Sequence, residues 1–295
     1  MKQIPMRFAG AQMPCTPNVA DNVKEIKKAI DYAVDNECDF LVTPEGSLSG
    51  YDHTSFTANG FYGDANQVRD MILESFDKMF TTELEQGLKE VEDYAKNKVG
   101  LCLGTAWKEQ ERFGTIGRNQ IRFYSKDGQF RGATNKSLCV SPSDLSYLEN
   151  DINVSGVECM KLGSNDVSFN VVGLICNDLW GHGLSGHKAL CIKAKEQFQD
   201  NINLFVHSTN GYRGNGEFME KLYDNWHNAH LTMMSYLTEI PIITVDNCNH
   251  IDGTEFSGQT SSESGVVVKG EFVTQVPREG TQYFFYDFFG AKHEH

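Results

Sequence analysis

The feature that most constrains the fold of this chain is a repeated alternation of short apolar runs with longer segments of helical periodicity. Met6–Met13, Phe40–Thr43 and Val99–Trp107 are apolar runs of the kind that form buried strands. The segments between them carry apolar residues at the spacing of one helix face: Val23, Ile26, Ile30 and Ala33, then Leu84, Leu88, Val91 and Ala95. Strands that alternate with helices favour an α/β architecture.

The alternation continues through the second half of the chain. A run ending at Cys176 is followed by a helical stretch at Ala189–Phe198 and by strand candidates at Ile202–Val206 and Pro241–Val245. A longer helix carries one apolar stripe, formed by Phe218, Leu222, Ala229, Met233 and Leu237. Two hairpin turns, Lys126–Gln129 and Lys269–Gly270, add antiparallel strands, so the predicted sheet is mixed. No linker divides the chain outside the turn-rich Tyr51–Asn66, and we expect one domain over residues 1–290 and a loose tail over 291–295.

Composition excludes several classes of partner. The 295 residues carry a net charge of −14, and an acidic surface repels nucleic acid and anionic lipid. The start of the chain lacks the apolar core of a signal peptide, and the apolar runs are too short to span a bilayer. The eight cysteines never form a CxxC pair, which argues against zinc fingers and redox motifs. We therefore expect a cytoplasmic protein with reduced thiols.

Three reactive residues occupy equivalent positions after apolar runs. Glu45 follows Phe40–Thr43, Lys136 follows Phe130–Thr134, and Cys176 follows Val171–Ile175. Ligand clefts in α/β sheets form at the carboxyl ends of strands, so the three side chains could meet at one point. A carboxylate can accept the proton of a thiol, and an ammonium can stabilise the thiolate and a developing oxyanion. Alone, such a cysteine is more often a small buried hydrophobe than a nucleophile.

In their order and context these segments resemble the nitrilase, or carbon–nitrogen hydrolase, superfamily. The resemblance extends over nearly the whole chain and is carried by Phe8–Met13, Pro44-Glu45, Lys136, Cys176-Asn177-Asp178 and Phe256–Ser261. It implies a four-layer α-β-β-α sandwich with two mixed sheets, which usually dimerises through helices. It also implies a homodimer or larger homo-oligomer that needs no metal or organic cofactor.

The resemblance further implies a role for each site residue. Cys176 would be the nucleophile, Glu45 the general base and acid, and Lys136 would hold the oxyanion together with the backbone N–H of Asn177. A second acidic residue is expected between the lysine and the cysteine; Glu149 is the candidate and Asp144 its rival. Two aromatic residues are predicted to contact the substrate, Tyr51 and Trp180.

The chain also departs from the family pattern. Gly181–His187 stands where proline and glutamate are frequent, and Tyr51–Phe80 is unusually rich in Gly, Asn and Tyr. His182 and His187 are interpreted as residues of a pocket mouth, since no third metal ligand has suitable spacing. These departures bear on the identity of the substrate and not on the type of reaction.

The leading hypothesis is a hydrolase that cleaves a linear amide or carbamoyl amide through a thioester, releasing a carboxylic acid and ammonia or an amine. A nitrile hydrolase of the same family and a catalytically silent scaffold are the alternatives. A papain-like protease is disfavoured because no histidine has a suitable context. A glutaminase module is disfavoured because 295 residues leave no room for an ATP-using domain.

Overall fold

A computed structural model describes residues 5–50, 80–111, 114–138, 159–162, 169–180, 189–211, 217–248 and 260–289. Within these ranges there are four α-helices: α1 (Val19–Asp35), α2 (Thr82–Ala95), α3 (Leu190–Phe198) and α4 (Glu217–Thr238). Helices α1 and α2 start at polar caps, because Asn18 Oδ1 accepts from Asp21 N at 3.1 Å and Thr81 Oγ1 accepts from Leu84 N at 3.3 Å.

The strands of the described ranges form two six-stranded sheets. In order across the first sheet they are β12 (Gln282–Phe289), β1 (Pro5–Gln12), β2 (Phe40–Val42), β3 (Gly100–Glu111), β4 (Gly114–Tyr124) and β5 (Phe130–Asn135). In order across the second they are β11 (Glu271–Gln275), β10 (Gly265–Val268), β9 (Ile242–Val245), β8 (Leu204–Ser208), β7 (Phe169–Ile175) and β6 (Cys159–Leu162). The parallel strands are β1, β2 and β3 in one sheet and β7, β8 and β9 in the other; the remaining pairings are antiparallel, so both sheets are mixed.

Three apolar clusters define four layers. Phe8 and Phe123 of the first sheet pack with Phe169 and Val206 of the second, which places the sheets face to face. A second cluster joins α1 and α2 to the outer face of the first sheet, and a third joins α3 and α4 to the outer face of the second. The predicted α-β-β-α sandwich is therefore confirmed. In the described part of the chain, no helix combines the length and the apolar character that crossing a membrane requires.

The structure differs from the sequence prediction in three strands and one helix face. Strands β6 and β12 and the first half of β4 were not predicted. The first half of β4 is mostly polar and β6 has only four residues, whereas β12 carries an aromatic run, Tyr283–Tyr286, that was missed. On α4, the predicted stripe contains Ala229, Met233 and Leu237, and all three are exposed. The buried face carries Leu231, Met234, Ser235 and Thr238 instead. At these three positions the predicted stripe therefore faces away from the core.

Candidate active site

Glu45 lies just past the carboxyl end of β2, with only 1% of its surface exposed. Its Oε1 accepts from Lys136 Nζ at 2.9 Å and from Asn119 Nδ2 at 2.7 Å. Its Oε2 accepts from the backbone N–H of Asn210 at 3.0 Å. All three neighbours donate, so the carboxylate is held as an acceptor, the state that a general base requires.

The segment that carries Glu45 is fixed against β3. Gly104 allows this approach, since a Cβ built there would lie 1.9 Å from the Pro44 carbonyl oxygen. Thr43 Oγ1 accepts from Gly104 N at 3.0 Å, and Ser47 Oγ donates to Gly104 O at 2.8 Å. The turn after β2 therefore presents Glu45 in one fixed direction.

Lys136 reaches Glu45 from the end of β5. Its backbone N–H donates to Asn119 O at 2.8 Å, which continues the antiparallel β4–β5 ladder by one pair. Lys136 and Asn119 are therefore cross-strand neighbours that both contact Glu45 Oε1. The side chains of Lys136 and Glu45 are each 1% exposed, so this ion pair is buried. A buried charge pair of this kind requires additional hydrogen bonds, and Asn119 and Asn210 supply them.

Cys176 ends β7 in a sharp turn. Its φ is +50°, a left-handed conformation that is uncommon for non-glycine residues and costs conformational energy. A short 3₁₀ turn, Cys176–Asp178, begins there, and the thiol is half-buried. His207 Nε2 lies 3.1 Å from the Cys176 carbonyl oxygen, and His207 Nδ1 lies 2.8 Å from Thr244 Oγ1. Because the carbonyl can only accept, Nε2 carries the proton and Nδ1 accepts from the threonine hydroxyl.

Asp178 ties the cysteine turn to the lysine segment. Its carboxylate accepts from Ile175 N at 3.1 Å, from Leu138 N at 2.9 Å and from Ser137 N at 3.1 Å. Burial raises the pKa of Asp178 to about 7, against the lowering effect of these N–H donors and of Lys136. Asp178, two positions after Cys176, thus holds Ser137 and Leu138, the two residues that follow Lys136.

Asn177 and Trp180 form the outer wall of the same turn. Trp180 Nε1 donates to Asn177 Oδ1 at 2.6 Å, and Cys176 Sγ lies 3.8 Å from that oxygen. The buried Trp180 ring stacks on His227 at 4.9 Å and lies edge-on to His207 at 5.4 Å between ring centroids. Trp180 therefore supports Asn177, and its contact with substrate remains a prediction.

The two sheets meet at this point. Ser208, which pairs with Ile175 across β7 and β8, donates its hydroxyl to Thr43 O at 2.8 Å. Asn210, two residues farther on, donates its backbone N–H and its Nδ2 to Glu45. The structure thus joins Glu45 and Lys136 directly. Cys176 directly follows β7, and the neighbouring strand β8 leads to Asn210, which contacts Glu45.

The other described thiols differ from that of Cys176. Among the cysteines that the structure describes as free, only Cys176 is not buried. Burial raises the pKa of Cys38 and Cys191 to about 12 and that of Cys248 to about 11. It also raises the pKa values of Cys15 and Cys102. These five thiols are therefore poor nucleophiles at neutral pH.

Several predicted residues lie outside the described ranges, namely Tyr51, Asp144, Glu149, His182 and His187. The structure instead adds residues that the sequence analysis missed: Asn119, His207 and Asn210. A sequence signal existed for the last two, since the polar run His207–Asn210 directly follows the predicted strand Ile202–Val206. No group of three or more His, Cys, Asp or Glu residues in the described ranges is arranged to hold a metal ion.

Comparison with known families gives one match. Residues 7–270 match the sequence profile of the family described as carbon-nitrogen hydrolase. No curated protein sequence matches the chain.

Solved structures of low sequence identity share the fold. Nit3 of Saccharomyces cerevisiae, a member of branch 10 of the nitrilase superfamily, gives a TM-score of 0.66 at 13% identity, over 98% of this chain and 91% of that one. An amidase from Nesterenkonia sp. gives 0.63 at 14% identity, over 98% and 92%. A glutamine-dependent NAD+ synthetase from Acinetobacter baumannii gives 0.64 at 16% identity, and this chain spans 98% of its own length but only 48% of the synthetase.

Proposed function

The chain belongs to the carbon–nitrogen hydrolase family, and on that premise we propose that it hydrolyses a linear amide or carbamoyl amide through a thioester on Cys176. The observation that carries the proposal is the buried contact between Lys136 Nζ and Glu45 Oε1 at 2.9 Å. Asp178 ties the segment that follows this lysine to the strained turn that begins at Cys176.

The first half of the reaction forms the thioester. Glu45 accepts the proton of the Cys176 thiol, and the sulfur adds to the substrate carbonyl carbon. The carbonyl oxygen becomes an oxyanion, which the Lys136 ammonium and the Asn177 N–H stabilise. Glu45 then returns the proton to the nitrogen, the C–N bond breaks, and ammonia or an amine leaves.

The second half releases the acid. Glu45 accepts a proton from water, and the resulting hydroxide adds to the thioester carbon. The C–S bond then breaks, the carboxylic acid departs, and the proton on Glu45 returns to the thiolate. Glu45 carries the proton in every transfer of this scheme. Glu149, with Asp144 as its rival, remains the proposed second acidic residue of the site.

We also propose that the chain acts as a homodimer or larger homo-oligomer. On α4, Trp226, Met233, Tyr236 and Leu237 are exposed large hydrophobic residues. Such a helix face would be buried against the same face of a second copy in a two-fold interface.

Hydrolysis of a nitrile is the alternative within the family. It begins with the same attack by Cys176 but adds the thiol to a nitrile carbon, so no nitrogen leaves in the first step. A scaffold without activity is the other alternative. The three donors that hold Glu45 argue against a scaffold, since a site without chemistry has no need of an oriented buried carboxylate.

A substrate panel tests the proposal. Wild-type protein is incubated with short amides, N-carbamoyl amines and nitriles, and with glutamine because a similar structure is glutamine-dependent. Released nitrogen and carboxylic acid are measured. We expect amide or carbamoyl turnover that Cys176→Ala abolishes and that Glu45→Gln lowers by at least roughly a hundredfold. Turnover of nitriles alone would favour the alternative, and near-normal turnover by Cys176→Ala would overturn the mechanism.

A further inference from the structure

Asp246 is a fully buried carboxylate that the reaction scheme does not use. It follows β9 and carries no exposed surface. Its Oδ1 accepts from Asn247 N at 2.8 Å and from Gly211 N at 3.3 Å. Its Oδ2 accepts from Ser261 Oγ at 2.7 Å, from Ser262 N at 2.7 Å and from Ser262 Oγ at 3.2 Å. The carboxylate thus joins three separate segments: the end of β9, the segment after β8, and the segment before β10.

Two connections lead from Asp246 to Glu45. Through the backbone, Asp246 holds Gly211 N, and the adjacent Asn210 N–H donates to Glu45 Oε2 at 3.0 Å. Through side chains, Asn247 Nδ2 donates to Asn210 Oδ1 at 2.8 Å, and Asn210 Nδ2 donates to Glu45 O at 3.1 Å. Asn247 is itself fixed, because its Oδ1 accepts from Cys15 N at 3.1 Å.

The surroundings of Asp246 leave little room for adjustment. A Cβ on Gly211 would lie 1.9 Å from Ser261 Oγ, so a glycine is needed where these two segments meet. Arg278 Nη2 donates to the carbonyl oxygens of Thr260 and Ser261 at 2.7 and 2.9 Å, which holds the serine segment from the other side. Because the neighbouring segments are held in place, we expect a substitution at Asp246 to shift Asn210 as well.

We propose that Asp246 is a positioning residue for the active site, which fixes Asn210 so that its backbone N–H orients the Glu45 carboxylate. The proposal rests on the proposed function of Glu45 as the proton carrier. A carboxylate suits this task because all five groups around it donate hydrogen bonds and an ionised carboxylate only accepts. An asparagine at this position would replace one of the two oxygens by an NH₂ group. In one orientation that group would face the N–H groups of Gly211 and Asn247, and in the other it would face the N–H of Ser262.

The test is Asp246→Asn, which preserves shape and removes the all-acceptor character. We expect kcat to fall roughly 10- to 100-fold with little change in KM, because misplacing the proton carrier affects chemistry more than binding. Iodoacetamide labelling of Cys176, followed by mass spectrometry, should slow by a similar factor at pH 7. Labelling needs no substrate, so it reports on the Glu45–Cys176 pair separately from turnover.

A control variant separates positioning from stability. Asn170 is buried near the opposite end of β7, roughly 20 Å from Cys176 at ~3.3 Å per residue. Its Nδ2 donates to Asn201 O at 2.7 Å, so Asn170→Ala destabilises the same sheet away from the site. It should retain wild-type kcat and labelling at temperatures where it is folded. If Asp246→Asn folds poorly, Asn247→Ala removes the side-chain connection to Asn210, together with the bond from Cys15 N, but leaves the contact between Asp246 and Gly211 N. It should lower kcat in the same direction but less.

The outcomes distinguish the two proposals. Wild-type kcat and labelling in folded Asp246→Asn, or equal losses in Asn170→Ala, would overturn the positioning role of Asp246. A wild-type protein that hydrolyses no amide, yet shows fast Cys176 labelling that Asp246→Asn slows, would overturn only the proposed function. Cys176 labelling no faster in the native than in the denatured protein would overturn both.

Discussion

At the scale of single residues, the buried Lys136–Glu45 pair determines how the site responds to substitution. Each charge lies at 1% exposure and is balanced by the other. The attraction inside the protein roughly offsets the loss of hydration, so such a pair contributes little net stability, whereas a single remaining charge is strongly unfavourable. The two residues should therefore behave as one unit in folding as well as in catalysis.

The first prediction is that Lys136→Met lowers the free energy of unfolding by about 3 to 5 kcal/mol, because it leaves a buried carboxylate without its cation. The double variant Lys136→Met, Glu45→Gln should recover most of that loss. Urea denaturation of the wild type, both single variants and the double variant measures the coupling. Losses that simply add would show that the charges do not depend on each other.

The second prediction concerns pH. Burial lowers the pKa of His207 to about 3, from about 6.5 when unfolded. Below pH 6.5 the His207 side chain therefore binds more protons in the unfolded state than in the folded state. The contribution of His207 to the free energy of unfolding is lost as the pH falls. Asp178 has the opposite sign. Its pKa is raised from 3.8 to about 7, so the folded state binds more protons between these values, and its contribution to stability grows as the pH falls.

Between about pH 4 and pH 6.5 the effects of His207 and Asp178 on the free energy of unfolding offset one another. Removing His207 therefore leaves the effect of Asp178 visible. His207→Gln should gain stability relative to the wild type as the pH falls, by up to ~1.4 kcal/mol per pH unit. Urea titrations at several pH values measure the slope. A difference between His207→Gln and the wild type that stays constant from pH 7 to pH 4 would contradict the predicted ionisation of His207.

At the scale of elements, the contact between β5 and β7 sets the distance between the two sheets beside the site. Gly173 lies in the middle of the fully buried β7, and a Cβ there would lie 2.6 Å from Thr134 Oγ1 and 3.1 Å from Phe123 Cζ. Thr134 is two residues before Lys136, and Gly173 is three residues before Cys176. A side chain at Gly173 would push apart the strands that carry these two residues.

The third prediction is that Gly173→Ala destabilises the fold by roughly 1 to 3 kcal/mol through overpacking and lowers turnover more than its stability loss explains. Gly87→Ala on α2 is the matched control. Its Cβ would lie 2.6 Å from Val19 Cγ1, as close a contact as that at Gly173 but away from the site, and alanine favours a helix by about 1 kcal/mol over glycine. Thermal melts and kcat of both variants decide the matter; equal effects would contradict the packing argument.

The elements show which parts of the architecture the sequence could predict. The parallel strands and the inner faces of α1 and α2 carry regular apolar spacing, and their burial follows the prediction. Strand β12 carries the aromatic run Tyr283–Tyr286, but local sequence pattern does not show which strand it pairs with, so the pairing of Pro5 with Phe289 could not be predicted. Glu45 and Lys136 were singled out because both follow apolar runs and match the pattern of a known family. Asn210 and Asp246 also follow apolar runs, but no such pattern marks them, and their contacts form only where the sheets meet.

At the scale of the whole molecule, the two sheets share one plan. Within the described ranges, each has three adjacent parallel strands, one antiparallel strand on one side and two on the other. Glu45 follows the central parallel strand of the first sheet, and Asn210 follows that of the second. Glu45 and Asn210 therefore follow equivalent strands of the two sheets, and their contact joins the sheets. Neither sheet alone contains the whole site.

The fourth prediction concerns self-association. Leu237 on α4 is 57% exposed, and we expect Leu237→Glu to weaken the proposed homodimer by placing a charge in an apolar interface. Val273 on β11 is 45% exposed and provides the control Val273→Glu. Light scattering over a range of concentrations gives the mass of each. A stable wild-type monomer at micromolar concentration, or equal effects of both substitutions, would contradict an interface formed by α4.

The pairing of β1 with β12 has a consequence for how the protein is made. Gln12 of β1 pairs with Gln282 of β12, so one edge of β1 lacks its partner until the ribosome has added about 270 further residues. At typical elongation rates that interval is on the order of tens of seconds. Throughout it, the nascent first sheet presents an open, mostly apolar edge. The first sheet contains both the first and the last of the described strands, so its closure is a late event in the synthesis of this part of the chain.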